Sequence, residues 1–364
     1  MELLAALLFM VLLAVGEGVT NATNGSNWMT HIDHNLRDVP LMELAIPGSH
    51  NSGGYWMDET GPIASDQSDS AKAKIASSPT VRHVLKQYSL TQKLNILAQL
   101  DAGVRHLDIR NSFFNNTFHV YHAFYGHTLQ HVFDQIRTFL DANPREVVFL
   151  GMNRCLDCTP EHLLQVAELI NNTFADKIFP APSPLLPDSL NMTLNDVWGA
   201  GKQLIVFADL PNTMFWPTNS VNSPWYDVLT PELLIPKLKN MSNHLVSGKF
   251  NNYQAIVSPT EAYVTQNPAG SLEGMAQQAN MAVAQWLGEL MDDCQVRGQY
   301  GNMTMLWIDY VGDGNKIVDR VIKLNKMKQP GGCTAGMLCF MSSCEDSKNY
   351  SLQNRLHNKS INIK

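Results

Sequence analysis

The chain has 364 residues, of which 45% are hydrophobic and 16% charged, and its formal net charge is −7. This is the composition of a folded chain with a full core, in one large domain or two ordinary ones, and it excludes a disordered one. The negative balance, with no basic stripe, excludes a nucleic-acid footprint and any general pull towards anionic membranes, so membrane contact has to be local.

In chain order, residues 1–16, MELLAALLFMVLLAVG, hold an apolar run of signal-peptide length, although Glu2 stands where a basic residue is usual. The run is shorter than the roughly 18 residues a membrane span needs. A signal peptide over 1–18 is therefore expected, an uncleaved anchor being the alternative, followed by a glycosylated segment over 19–35 and a main domain over 36–329. Asn-x-Ser/Thr acceptors begin at Asn21, Asn24, Asn115, Asn171, Asn191, Asn240, Asn302, Asn349 and Asn358. Such density points to N-glycans and to a secreted, extracellular protein.

LMELAI (41–46) predicts a buried strand opening into the loop IPGSHNSGGYW. QKLNILAQLDAG (92–103) has helical spacing and stops at a glycine, after which VRHLDIR (104–110) alternates as a strand. TFHVYH (117–122) is a strand before the amphipathic TLQHVFDQIRTFLDANP, and EVVFLGMN (146–153) is the next strand. TPEHLLQVAELINNTF opens on a threonine cap. KQLIVFADL (202–210), NYQAIVS (252–258) and MTMLWID (303–309) are further strands, with a long helix over 271–293 before the last.

This alternation predicts an α/β fold, a TIM-like (β/α) barrel with room for one degenerate unit. A doubly wound sheet is the alternative, but no glycine-rich phosphate loop follows the first strand. Residues 330–364 read as a cysteine-rich C-terminal appendage, Cys333, Cys339 and Cys344 joining Cys294 in a late cluster. In an oxidising compartment cysteines act as staples. Cys155-Leu-Asp-Cys158 is expected to close a local disulfide, a redox or zinc pair being the other reading.

Barrel enzymes carry their chemistry at the C-terminal ends of the strands. Five strands deliver polar groups there: His50; Asp108 and Arg110, co-facial with His106; His122; Asn153, co-facial with Phe149 and Gly151; and Asp309, co-facial with Trp307. Any one of these alone reads as a satisfied turn residue. Two imidazoles, a guanidinium and two carboxylates together suit displacement at a phosphate diester, with one histidine as base, the other as acid and arginine on the phosphate.

IPGSHNSG, YSLTQKLNILAQLDAGVRHLDIR, HVYHAFYGHTLQHVFDQIRTFLDANPREVVFLGM and MLWIDYVGDGNKIVDRVIKLN resemble the X domain of phosphatidylinositol-specific phospholipases C over residues 36–325. The likeness is to the X-domain-only, metal-independent, secreted type. It implies that His50 is the general base for the inositol 2-hydroxyl and His122 the general acid for the diacylglycerol oxygen. Arg110 then binds phosphate, Asp108 is a site carboxylate and Asp309 pairs with the base.

The implied reaction is phosphoric diester cleavage of a phospholipid at a membrane surface through a cyclic inositol phosphate. No cofactor and no protein partner are expected. No metal is expected either, because Arg110 and the neutral Asn153 stand where calcium-dependent members place carboxylates. Asn51, Asn153 and Arg154 are the expected substrate-binding residues.

Asn51 departs from the aspartate of bacterial members, Ala123 from a glycine, and residues gripping the inositol ring have no clear equivalents. Another phosphodiester head group, or a catalytically silent lipid- or glycan-binding protein, therefore remains open. The loop TMFWPTNSVNSPWYDVL (213–229) reads either as packing over the barrel or as an interfacial clamp through Phe215, Trp216, Trp225 and Tyr226. His31, His34, His83, His127, His131 and His162 show no convergent partners in the sequence.

Overall fold

The structure, a computed structural model, describes residues 25–67, 72–73, 78–182, 191–292, 303–312, 314 and 316–327. The expected signal peptide, the late cysteine cluster and the C-terminal appendage lie outside the described residues. The elements are β1 (Ile46–Ser49), α1 (Pro79–Ser89), α2 (Ile96–Asp101), β2 (His106–Phe114), β3 (Thr117–His122), β4 (Phe124–Thr128), α3 (Leu129–Ala142), β5 (Val148–Leu156) and α4 (Pro160–Phe174). There follow α5 (Leu194–Gly199), β6 (Leu204–Phe207), β7 (Val221–Asn222), α6 (Pro231–Met241), β8 (Phe250–Gln254), α7 (Glu261–Gln266), α8 (Leu272–Asp292), β9 (Met305–Ile308) and α9 (Ile317–Met327).

Local chemistry sets where the helices start. Ser78, Asn95, Thr128 and Thr159 each accept a backbone N–H of the first turn, and Pro79 and Pro160 sit where a missing N–H costs nothing. Asn95 starts α2 later than the expected 92, because Thr91 and Gln92 are extended and bond across to the β1 loop. The first strand is also displaced. Leu41–Glu43 form a 3₁₀ turn after Pro40, and the strand is Ile46–Ser49. Gly48 is required there, because a Cβ would lie 2.4 Å from Trp307 Cδ1 on β9.

β1, β6, β8 and β9 are buried along their whole length, as expected of parallel strands covered by helices on one side and filled on the other. The parallel order is β6-β5-β2-β1-β9-β8-β7. This order follows the chain around, and the first strand pairs with the last. A doubly wound sheet would instead reverse direction at its centre. The result is a mixed α/β fold around a central sheet.

No ladder joins β6 to β7 among the described residues; a single parallel bridge, Phe207 to Trp216, lies at that seam. Residues 208–220 carry one 3₁₀ turn instead of a crossover helix, and Pro211 and Pro217 remove backbone donors that a ladder needs.

The N-terminal side of the sheet is sealed by a fully buried ion pair. Arg105 places Nη2 2.7 Å from Glu146 Oε2 and also donates to the carbonyls of Gly25, Ser26, Leu100 and Val104. Glu146 in turn accepts from Met29 N, Thr30 N and Thr30 Oγ1. Segment 25–36 is thereby part of the core, with Trp28, Met29 and Leu36 buried in it. The opposite, C-terminal side is left for chemistry.

Candidate active site

β1 ends at Ser49, so His50 emerges at the C-terminal edge of the sheet. Its loop is tied down at several points. Gln92 Nε2 donates to the carbonyls of His50 (2.9 Å) and Ile308 (3.1 Å), and Thr91 Oγ1 donates to the Asn51 carbonyl (2.8 Å). Ser52 bridges to β2, with N donating to the Asp108 carbonyl (2.7 Å) and Oγ accepting from Asp108 N (2.9 Å). Gly54 allows the close passage, since a Cβ there would meet Thr91 Oγ1 at 2.1 Å.

His50 Nδ1 lies 2.8 Å from Asp309 Oδ1, and its Nε2 lies 2.6 Å from Arg110 Nη2. A guanidinium has only donors, so Nε2 accepts, and the ring proton sits on Nδ1 and is donated to Asp309. Neutral is also the state that the surroundings favour. Burial, with the Arg110 charge beside it, holds His50 down to about 3, and burial pushes the Asp309 carboxyl up to about 8 against the opposing charges of His122 and Arg110. The backbone carbonyl of Asp309 is fixed by Asn280 Nδ2 at 2.9 Å.

Asp108 is buried on β2, accepts from Asn51 N at 2.8 Å and stands 3.8 Å from Arg110 Nε. Arg110 is therefore held between a carboxylate and the base imidazole while staying about a quarter exposed, at 27%. His122 closes β3. Its Nδ1 donates to the Ser89 carbonyl at the end of α1, 2.7 Å away, which leaves Nε2 for a ligand. Burial and the Arg110 charge lower the His122 pKa. The five expected catalytic residues thus converge at one edge of the sheet.

Asn51 sits in the left-handed region, φ 38°, which asparagine tolerates, and both polar atoms of its buried amide lack a partner. β5 bulges against β2: Ile109 pairs with Met152 but Arg110 with Arg154, so Asn153 is the extra residue of the bulge. Arg154, not Asn153, is thereby brought level with Arg110, and its charge reaches Tyr121. A disulfide joins Cys155 and Cys158, Cα–Cα 5.6 Å, just beyond.

The aromatic loop divides between the two expectations. Phe215 and Trp216 are buried and pack, whereas Trp225 is 48% exposed with its ring 5.6 Å from that of His50. His162 belongs to the helix cap of α4 and His83 pairs with Glu59. His127 and His131 do converge, at 4.4 Å, with the rings of Tyr55 and Trp56 tilted against His127, beside a cavity of about 380 Å³. The four-residue spacing of the two histidines at the start of α3 is a signal for their approach, whereas the contacts of Tyr55 and Trp56 depend on how loop 50–62 folds back.

His106 and Asp66 are further polar residues that motif reading did not select. His106 is buried beneath the site, stacked on Trp307, whose Nε1 donates to its Nδ1. Asp66 accepts from Ala123 N, directly after His122.

Residues 73–202 match the family model described as phosphatidylinositol-specific phospholipase C, X domain. The chain is 29% identical over 272 residues to the mouse PI-PLC X domain-containing protein 2, covering 72% of this chain and 78% of the relative. To the human PI-PLC X domain-containing protein 1 it is 29% identical over 314 residues, 82% of this chain and 92% of the relative. Among solved structures it is similar to the phosphatidylinositol-specific phospholipase C of Listeria monocytogenes, with TM-score 0.60, 18% identity, 84% of this chain and 100% of that one. A Staphylococcus aureus phosphatidylinositol-specific phospholipase C gives TM-score 0.57 at 20% identity, over 84% of this chain and 99% of that one.

Proposed function

We propose that this chain, whose residues 73–202 match the X domain of phosphatidylinositol-specific phospholipase C, is a phospholipase C-like phosphodiesterase that cleaves the glycerol–phosphate bond of phosphatidylinositol. The observation that carries this reading is the 2.6 Å approach of His50 Nε2 to the Arg110 guanidinium, which makes Nε2 the accepting nitrogen of the ring. A substrate phosphate takes over Arg110, and the freed Nε2 is then the base for the attacking inositol hydroxyl. Arg110, with Arg154 level with it, offsets the charge that builds on the phosphoryl oxygens. His122, its Nδ1 occupied by Ser89, presents Nε2 to protonate the departing glycerol oxygen.

Asp309 keeps the base in its tautomer and Asp108 orients Arg110. Asn51 and Arg154 are the substrate-binding candidates that the geometry supports best. A permanent cation already supplies the positive charge at the phosphate position, so the mechanism proposed runs without a divalent ion. Trp225, half exposed over the base, supports a membrane-surface substrate.

The same proposal places the protein in the secretory pathway. It is supported by the N-terminal apolar run and by the exposure of the acceptors Asn115, Asn191 and Asn240. Purified protein given phosphatidylinositol vesicles in the presence of chelator is expected to release inositol 1,2-cyclic phosphate. His50→Ala and His122→Ala are each expected to lose about 10²- to 10⁴-fold. Equal turnover in wild type and both variants rejects the assignment.

A further inference from the structure

The loop that follows the base histidine folds back onto the strand pair that carries the other histidine. Asp58 N donates to the Tyr125 carbonyl at 2.9 Å, Ile63 bridges Phe124 antiparallel, and Ala64 N donates to the Ala123 carbonyl at 2.8 Å. From α1, Arg82 donates to the Glu59 carbonyl at 2.6 Å and to that of Gly61, and its guanidinium lies 5.3 Å from the Phe124 ring centroid. Ser65 donates to Asp157. Residues 58–66 are therefore a docked strap.

At its end Asp66 Oδ2 accepts from Ala123 N at 3.3 Å. Ala123 is buried and held at φ 61°, a left-handed conformation that an alanine seldom adopts. Both polar groups of this strained residue are thus bonded by the strap, N–H to Asp66 and C=O to Ala64. The other carboxylate oxygen, Oδ1, is buried without a hydrogen-bond partner. The half-buried carboxylate thus stands one peptide unit from an imidazole.

We propose that Asp66 is the positioning residue of His122. Through the 122–123 peptide it fixes the direction of the ring, and its negative charge favours the imidazolium that must donate the proton. This rests on the phosphodiesterase reading for the meaning of the proton, though not for the coupling itself.

The charged and titratable groups facing His122 are Arg110 from β2, His50 from the β1 loop, Asp309 after β9, and Asp66 from the strap. Arg110 and His50 oppose the imidazolium. Asp66 favours it and also has a hydrogen bond to the His122–Ala123 segment. Asp309 is committed to His50.

Asp66→Asn is the discriminating variant, since its amide oxygen can still accept from Ala123 while the charge is gone. The His122 ring resonance, assigned by its loss in His122→Ala, is followed by NMR against pH in the full chain. In parallel, kcat/KM on phosphatidylinositol vesicles is measured against pH. The expected result is that the titration and the high-pH limb of the profile both move down by about 0.5–1 pH unit, and that Asp66→Glu retains the wild-type values. An unmoved resonance in Asp66→Asn overturns the proposal whatever the activity. A moved resonance with an unmoved limb overturns the role in proton donation. A moved resonance in Asp66→Asn, with wild type showing no turnover, upholds the coupling and rejects the phosphodiesterase reading instead.

Discussion

His50 and Arg110 face each other at 2.6 Å, and the consequence is electrostatic. Burial, and after it the charge of the guanidinium that will hold the phosphate, depress both imidazoles before substrate arrives. The base must be neutral and the acid protonated. In the free protein His50 is neutral down to about 3, so the limb within reach is that of His122, held below the ordinary 6.5. kcat/KM is therefore expected to fall as pH rises through a value below 6.5. Arg110→Gln removes a depressing charge, so the same limb is expected to move to higher pH while the rate drops by about 10²–10³. A pH profile of both proteins checks this, and a limb that stays in place contradicts it.

Among the elements, the two ends of the parallel strands have different duties. At the N-terminal end the Arg105–Glu146 pair is dry and every visible hydrogen-bond demand is met, which makes it structural. Glu146→Ala leaves a buried guanidinium unpaired and is expected to cost about 3–5 kcal/mol in urea unfolding. Below the site, His106 is buried and held neutral down to about 3, against an ordinary 6.5. Its folded value lies below its unfolded one, so the unfolded chain takes up the proton first. Its contribution is complete above pH 6.5 and is lost as pH falls towards about 3, at about 1.4 kcal/mol per pH unit. His50 acts in the same sense but is opposed by Asp309, whose raised value acts the other way between 3.8 and about 8. His106→Asn retains an acceptor for Trp307 Nε1 and removes the titration. Between pH 6.5 and 5 its urea midpoint is expected to change less than that of wild type, and parallel curves for the two contradict the assignment.

Across the whole molecule, the α/β alternation was legible because parallel strands buried on both faces are short apolar runs, as IVF and MLWI are. The strand-end histidines, Asp108, Arg110 and Asp309 were legible because period-two alternation settles which side chains share a face. What failed did so for non-local reasons. The bulge at Asn153, which brings Arg154 level with Arg110, is a matter of register with β2 that β5 alone does not encode. Among the described residues no ladder joins β6 to β7, and the prolines between them read only as loop. Asp66 was invisible because a strap far along the chain from β3 places it beside His122.

The division of labour between two imidazoles is tested most directly by changing the leaving group. Wild type, His50→Ala and His122→Ala are compared on phosphatidylinositol and on a nitrophenyl ester of inositol phosphate, whose nitrophenolate departs without a proton. His122→Ala is expected to recover most of its about 10²- to 10⁴-fold loss on the ester, and His50→Ala to recover none. Equal recovery in the two variants, or recovery in His50→Ala alone, contradicts the account.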